Sequence, residues 1–112
     1  MADFDKIFSD IKNALGPLAE KDIKEFASQG KQDAEAFLQQ SRAKLAEWVQ
    51  QLANKEIDED EFRVLVESQK AAAEMELLRA ASAGTVRIER FRDSVVGLVV
   101  KTAVTAVAGK GT

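Results

Sequence analysis

Cysteine, histidine and tyrosine are absent from the 112 residues. Lack of Cys excludes disulfides, thiol nucleophiles and Cys/His zinc sites. Lack of His removes the commonest general base and the Glu-x-x-His ligand pairs of di-iron bundles. Without Tyr there is no phenol to assist as an acid. Proline occurs once, at position 17, and of the six glycines three fall in the last sixteen residues. So few breakers favour long helices over many short elements. Charge of one sign is lacking as well. The formal net charge is −3, too small for bulk attraction to nucleic acid, and no sequence-specific nucleic-acid partner is expected. A long apolar run is missing too. Crossing a bilayer takes about 20 apolar residues; the stretch 94–108 is shorter and carries Lys101.

What is present is 46% apolar and 31% charged residues, a globular or coiled-coil composition rather than a disordered one. A chain of this length reads as one domain, 1–112, long enough for a modest core if its helices pack side by side. Met1-Ala2-Asp3-Phe4-Asp5 is acidic and has no apolar core of a signal peptide, so none is expected. A cytoplasmic setting of bacterial or phage type fits, either peripheral to a membrane or within an assembled particle.

The plainest local signal is Asn54-Lys55-Glu56-Ile57-Asp58-Glu59-Asp60-Glu61-Phe62. Asp58 is a good N-cap, and Glu61, three residues on, can reach back to its N–H as in a capping box. Ile57 and Phe62 stand where a hydrophobic staple puts its apolar pair. Glu59, Asp60 and Glu61 place negative charge at the positive end of the helix dipole. Amphipathic patterns flank this stretch on both sides, so residues 54–58 read as a sharp turn between two long helices. The acids could in principle hold a hard cation. They lack the Asp-x-Asp-x-Asp-Gly loop of an EF-hand, and a helix start explains them better.

Three further segments follow from periodicity. Residues 3–15 carry Phe4, Ile7, Phe8, Ile11 and Leu15 on one face and predict a short helix, interrupted at Gly16-Pro17. Residues 18–53 predict one long helix whose stripe includes Phe26, Gly30, Ala34, Phe37, Leu38, Ser41, Leu45, Trp48 and Val49. Residues 59–108 predict a second, with the stripe Phe62, Val66, Gln69, Ala73, Leu77, Ala80, Gly84, Ile88, Phe91, Val95, Leu98, Thr102 and Ala106. That stripe advances at about 3.67 residues per step, the eleven-residue rhythm of a nearly straight seam. Gly84-Thr85 marks a hinge within it, and Gly109, Lys110 and Gly111 read as a frayed tail. The expected fold is all-α: a long antiparallel helical hairpin with a short N-terminal amphipathic helix and coiled-coil-like packing. Folding at residue 57 opposes Trp48 to Val66, Ser41 to Ala73, Gly30 to Gly84 and Ile23 to Phe91. Each arm would span roughly 75 Å.

Two features bear on function. Val95, Val96, Leu98, Val99, Val100, Val104 and Val107 leave the last segment without a clean polar face, so it wants cover on more than one side. The N-terminal helix, a second copy, or a lipid surface could supply it; as a β-branched run it also admits a hairpin over 85–92 and 95–107. The charges are unevenly spread: residues 58–76 hold seven acids and two bases, residues 79–110 six bases and two acids. Arg87, Arg90 and Arg92 form the densest basic group. They read either as an anionic contact with Phe91 beside it, or as partners of Glu20, Asp22 and Glu25 with Phe91 in the core.

No catalytic constellation, Gly-rich phosphate loop or G-x-S-x-G elbow emerges, so no enzyme activity, cofactor or metal is expected. The leading expectation is a structural or assembly protein that forms homo-oligomers through Phe4, Ile7, Phe8 and Ile11 and through the valine-rich segment. A membrane-surface or membrane-active protein that uses the same residues on anionic lipid is the alternative, and an adaptor for a larger protein the third.

Overall fold

The first helix holds because Asp3 caps it. The carboxylate accepts from Lys6 N–H at 3.2 Å, satisfying a first-turn donor that has no partner within the helix. In the computed structural model, which describes residues 3–70 and 74–110, this helix is α1, Phe4–Asp22. It runs through Gly16-Pro17 rather than stopping there. Pro17 faces solvent, where the missing N–H and the ring are least costly, while Leu15 and Ala19 on either side are fully buried. The break comes instead at Ile23, whose φ of −140° leaves the helical region. A 3-10 turn, Lys24–Phe26, leads into α2, Ala27–Ala53. The predicted 18–53 helix is therefore split, with its first residues in α1.

α2 ends as the sequence indicates. Lys55 takes a left-handed φ of 62°, with Lys55 N–H bonded to Leu52 O and Glu56 N–H to Gln51 O, a Schellman closure without the usual glycine. Asp58 then starts α3, Glu59–Lys70. Asp58 N–H donates to Glu61 Oε1 at 3.0 Å and Glu61 N–H to Asp58 Oδ1 at 2.8 Å, the reciprocal pair expected of a capping box with Asp in the Ser position.

Beyond α3 the structure departs from the single 59–108 helix. α4 is only Glu76–Ala80 and α5 is Thr85–Lys110. Met75 (φ 53°) turns the chain into α4, and Ser82 (φ 60°) and Gly84 (φ 94°) turn it between α4 and α5. α4 closes as α2 does: Ser82 N–H meets Arg79 O and Ala83 N–H meets Leu78 O. Gly84 thus marks a reversal. Its carbonyl accepts from Ile88 N–H as α5 begins.

The fold places α1 against α2 and α5, and α3 against α2 and α5. Asp5 beside Arg42 fixes the start of α1 near the later half of α2, and Ile23 lies against Gly30 near its beginning. α3 leaves from the far end of α2, yet residues 77 and 78 already meet Asp33. Arg87 then sits over Phe26, so α5 starts level with the start of α2. The longest dimension is 43 Å and the radius of gyration 13.9 Å, near the about 13 Å of a folded chain this long. A pair of 75 Å arms is not what forms. Gly84 does not oppose Gly30; Phe91 and Ile23 do. Ala73 and Gly111 lie outside the described residues.

The reason is burial. Folding α5 back hides Val95, Val96, Val99 and Val100, at roughly 2 kcal/mol for each valine. Left-handed backbone at Met75 and Ser82 costs about 1–2 kcal/mol per residue, so the fold-back wins by several kcal/mol. No strand occurs among the described residues, and the hairpin reading of 85–107 is overturned: the whole stretch is helix, because α1 and α3 give its valines a helical surface to pack on.

Candidate functional site

The residues expected to self-associate are mostly interior. Ile7, Phe8, Ile11, Val95, Val96, Val99 and Val100 are buried; Phe4, Leu98, Val104 and Val107 are half-buried and pack on the same core. α1 thus serves as cover for α5 within one copy. Trp48 is likewise in the core. Phe4 and Phe8 lie 5.6 Å apart with the Arg42 guanidinium 4.9 Å from the Phe8 ring, and Asp5 accepts from the same guanidinium at 2.7 Å. This clip holds the start of α1 on α2.

The basic group separates. Phe91 is fully buried and is not available to a ligand. Arg87 spans the Phe26 ring at 5.8 Å and approaches Glu25 at 3.7 Å, one of the cross-helix partners that the charge pattern suggested. Arg90 is exposed and Arg92 half-buried. Arg87 and Arg90 share the first turns of α5 with Val86, which is 70% exposed. Glu89 is also exposed there.

A different surface stands out on α3. Phe62 and Val66 point into the core with no exposure, but Val64 is 65% exposed. Ile57, Asp60, Glu61, Val64 and Leu65 line one open depression. Their spacing, 57, 60, 61, 64, 65, is itself a helical stripe. Val64 is the exposed apolar side chain of α3, while Ile57 and Leu65 at its edge are half-buried and pack on the core. Carboxylates frame Val64, since Asp58, Glu59, Asp60, Glu61 and Glu67 are all exposed. Sequence reading missed it by following the inward stripe alone. The signal was there in two successive apolar residues, Val64 and Leu65, off that stripe.

Sequence reading also passed over Asp33, one of two buried polar residues among those described. Its carboxylate accepts from Leu77 N–H at 3.1 Å and Leu78 N–H at 2.8 Å. Because Met75 offers no side-chain cap, Asp33 caps α4 from 45 residues away. Its place at 30, 33, 34, 37 on the core face of α2 was the available clue. A shallow cleft beside it is lined by Phe37, Gln40, Glu74 and Met75.

Among the described residues no group of three carboxylates is placed to hold a metal, and no helix is long and apolar enough to cross a membrane. Comparison with protein-family models, curated proteins and solved structures finds no match.

Proposed function

We propose that this protein is a non-enzymatic assembly module that acts by self-association, and that the contact is made through the outward stripe of α3. The observation that carries the reading is Val64 at 65% exposure, in one open depression with half-buried Leu65 and Ile57. An apolar patch with a polar rim is the usual mark of an interaction surface. The patch replaces the apolar ends as the contact, because α1 and α5 already cover each other. It is much smaller than the roughly 800 Å² per partner of a stable complex, so the association is weak, needs high concentration and gains from repetition. Sedimentation velocity over a concentration series tests this. The mass should rise above 12.3 kDa in the wild type and stay there in Val64→Lys, with the melting curve unchanged. A wild-type monomer at every concentration contradicts the reading.

A lipid-surface role is the second reading, carried by exposed Val86 with Arg87 next to it and Arg90 one turn on. One valine inserts little apolar area, so the arginines would supply most of the affinity for an anionic surface, and salt would abolish it. Flotation with anionic vesicles at low salt should recover the protein if this reading holds; its absence from the lipid fraction removes it.

A further inference from the structure

The turn between α4 and α5 is short and strained. Ala81, Ser82, Ala83 and Gly84 span it. Ser82 has φ 60° and Gly84 φ 94°, a backbone region that is easy for glycine and costly for serine. No proline stands near it, and Glu76-Leu77-Leu78-Arg79-Ala80-Ala81 are good helix formers. The helical stripe crosses the turn unbroken, through Leu77, Ala80, Gly84, Ile88, Phe91 and Val95. In the fold that register is lost: Leu77, on the stripe, is 41% exposed, while Leu78, off it, is buried. A straight helix would return Leu77 to the face of Ile88 and Phe91.

Straightening the turn would send α5 out of the molecule. Leu77 and Leu78 meet Asp33, and Arg87 lies over Phe26, so the chain is heading for the start of α2 when it reverses. α5 has 26 residues, about 39 Å of helix, and begins at that end of a 43 Å molecule. It therefore runs along α2 toward the far end. Without the reversal it would project past the start of α2, carrying Ile88, Phe91, Val95, Val96, Val99 and Val100, all buried in the closed fold. The surface that fits these residues is the one α5 leaves on α1, α2 and α3, offered by a second copy. A two-fold axis at this end points the two copies' α2 starts at each other. Each α5 then enters its partner from the same end, and in the same direction, as at home.

We infer that two copies exchange α5 across the Ala81–Gly84 hinge, with α4 and α5 of each chain joined in one helix. The contacts of α5 with α1, α2 and α3 are remade between copies, and positions 82 and 84 become helical. Short hinges under strain favour such exchange. The inference goes beyond the α3 reading and makes no use of Val64. α5 has to leave the core to exchange, so swapping happens as the chain folds at high concentration, and the swapped dimer comes apart slowly.

Hinge variants test this in a Val64→Lys background, where the α3 contact is removed. Ser82 and Gly84 are exposed, and a Cβ at Gly84 meets nothing within 4 Å, so substitutions here act on the backbone. Gly84→Ala strains the closed turn and favours helix. Refolded at high concentration, it should raise the dimer-to-monomer ratio roughly tenfold or more. Ser82→Gly eases the closed turn and disfavours helix, and should lower the ratio. The dimer should persist on dilution. In dimers made from equal amounts of isotope-labelled and unlabelled chains, filtered NOEs should join Phe91 of one copy to Ile23 of the other, two side chains that flank Gly30 within one closed chain. A Gly84→Ala protein that refolds only to monomer, or dimers whose Phe91 meets Ile23 only within a chain, overturns the exchange and leaves the α3 reading standing. If Gly84→Ala does not fold, Ser82→Gly against the unaltered hinge decides, and equal dimer yields overturn it. Failure of the α3 reading shows separately, as a Val64 chain that associates no more than Val64→Lys.

Discussion

α5 and α3 put apolar residues to opposite uses. α5 is the more apolar of the two, yet Val95, Val96, Val99 and Val100 are interior, because α1, α2 and α3 all pack on it. α3 has few apolar residues and a run of acids, yet it presents Val64 outward with half-buried Leu65 at its edge. The amount of apolar side chain in a segment therefore says little about where a contact surface lies. What matters is how much of it the rest of the chain can reach. α5 packs against α1, α2 and α3, and its apolar residues face all of them. α3 packs its inward face on α2 and α5 and leaves Val64 outside.

The largest effect separating the two regions is expected at Phe91. Phe91→Ala removes a fully buried ring against Ile23 and Gly30 and should cost about 3–5 kcal/mol. Val64→Ala should change stability by under about 0.5 kcal/mol. Urea denaturation midpoints at constant slope measure both, and similar values for the two would erase the distinction. A smaller effect is expected at Asp33. Asp33→Ala leaves Leu77 and Leu78 N–H uncapped beneath buried Leu78 and should cost about 2 kcal/mol. Hydrogen exchange at residues 76–80 should then accelerate more than at α5. Equal acceleration everywhere would mean that Asp33 does not hold α4 locally.

The smallest effect compares two helical glycines. A Cβ at Gly97 meets nothing within 4 Å, so Gly97→Ala should stabilise by about 0.5–1 kcal/mol through helix propensity. A Cβ at Gly30 would overlap Ile23 Cδ1 and press on Phe91. There the same substitution gains the same propensity but must displace buried Ile23, and the net should be destabilising. Thermal melts of the two variants should move in opposite directions.

These contrasts also explain what the sequence made legible. Asp58 and Glu61 were readable because both partners lie within one turn, and capping needs nothing from elsewhere. The core stripe of α2 was readable because Phe37, Leu38, Leu45 and Val49 repeat at helical spacing. The break at residues 75–84 was hidden for the converse reason. Its stabilising contacts come from Asp33, far away in the chain, and from the valines of α5 reaching α1. Ala-rich sequence before Met75 offers no breaker, and the 3.67-residue rhythm runs across the gap unchanged. Pro17 misled in the other direction: a strong local breaker was overridden by Leu15 and Ala19 packing on either side of it. The exposed patch was missed because Val64 falls off the stripe that defines the core.

The most direct measurement is amide hydrogen exchange at two protein concentrations a hundredfold apart. Residues 95–103 should be equally protected in both, since α1 covers them within one copy, while residues 57–68 should gain protection only in the concentrated sample. Loss of protection at 95–103 on dilution, with 57–68 unaffected, would show that the valine segment is the interface and would contradict the account.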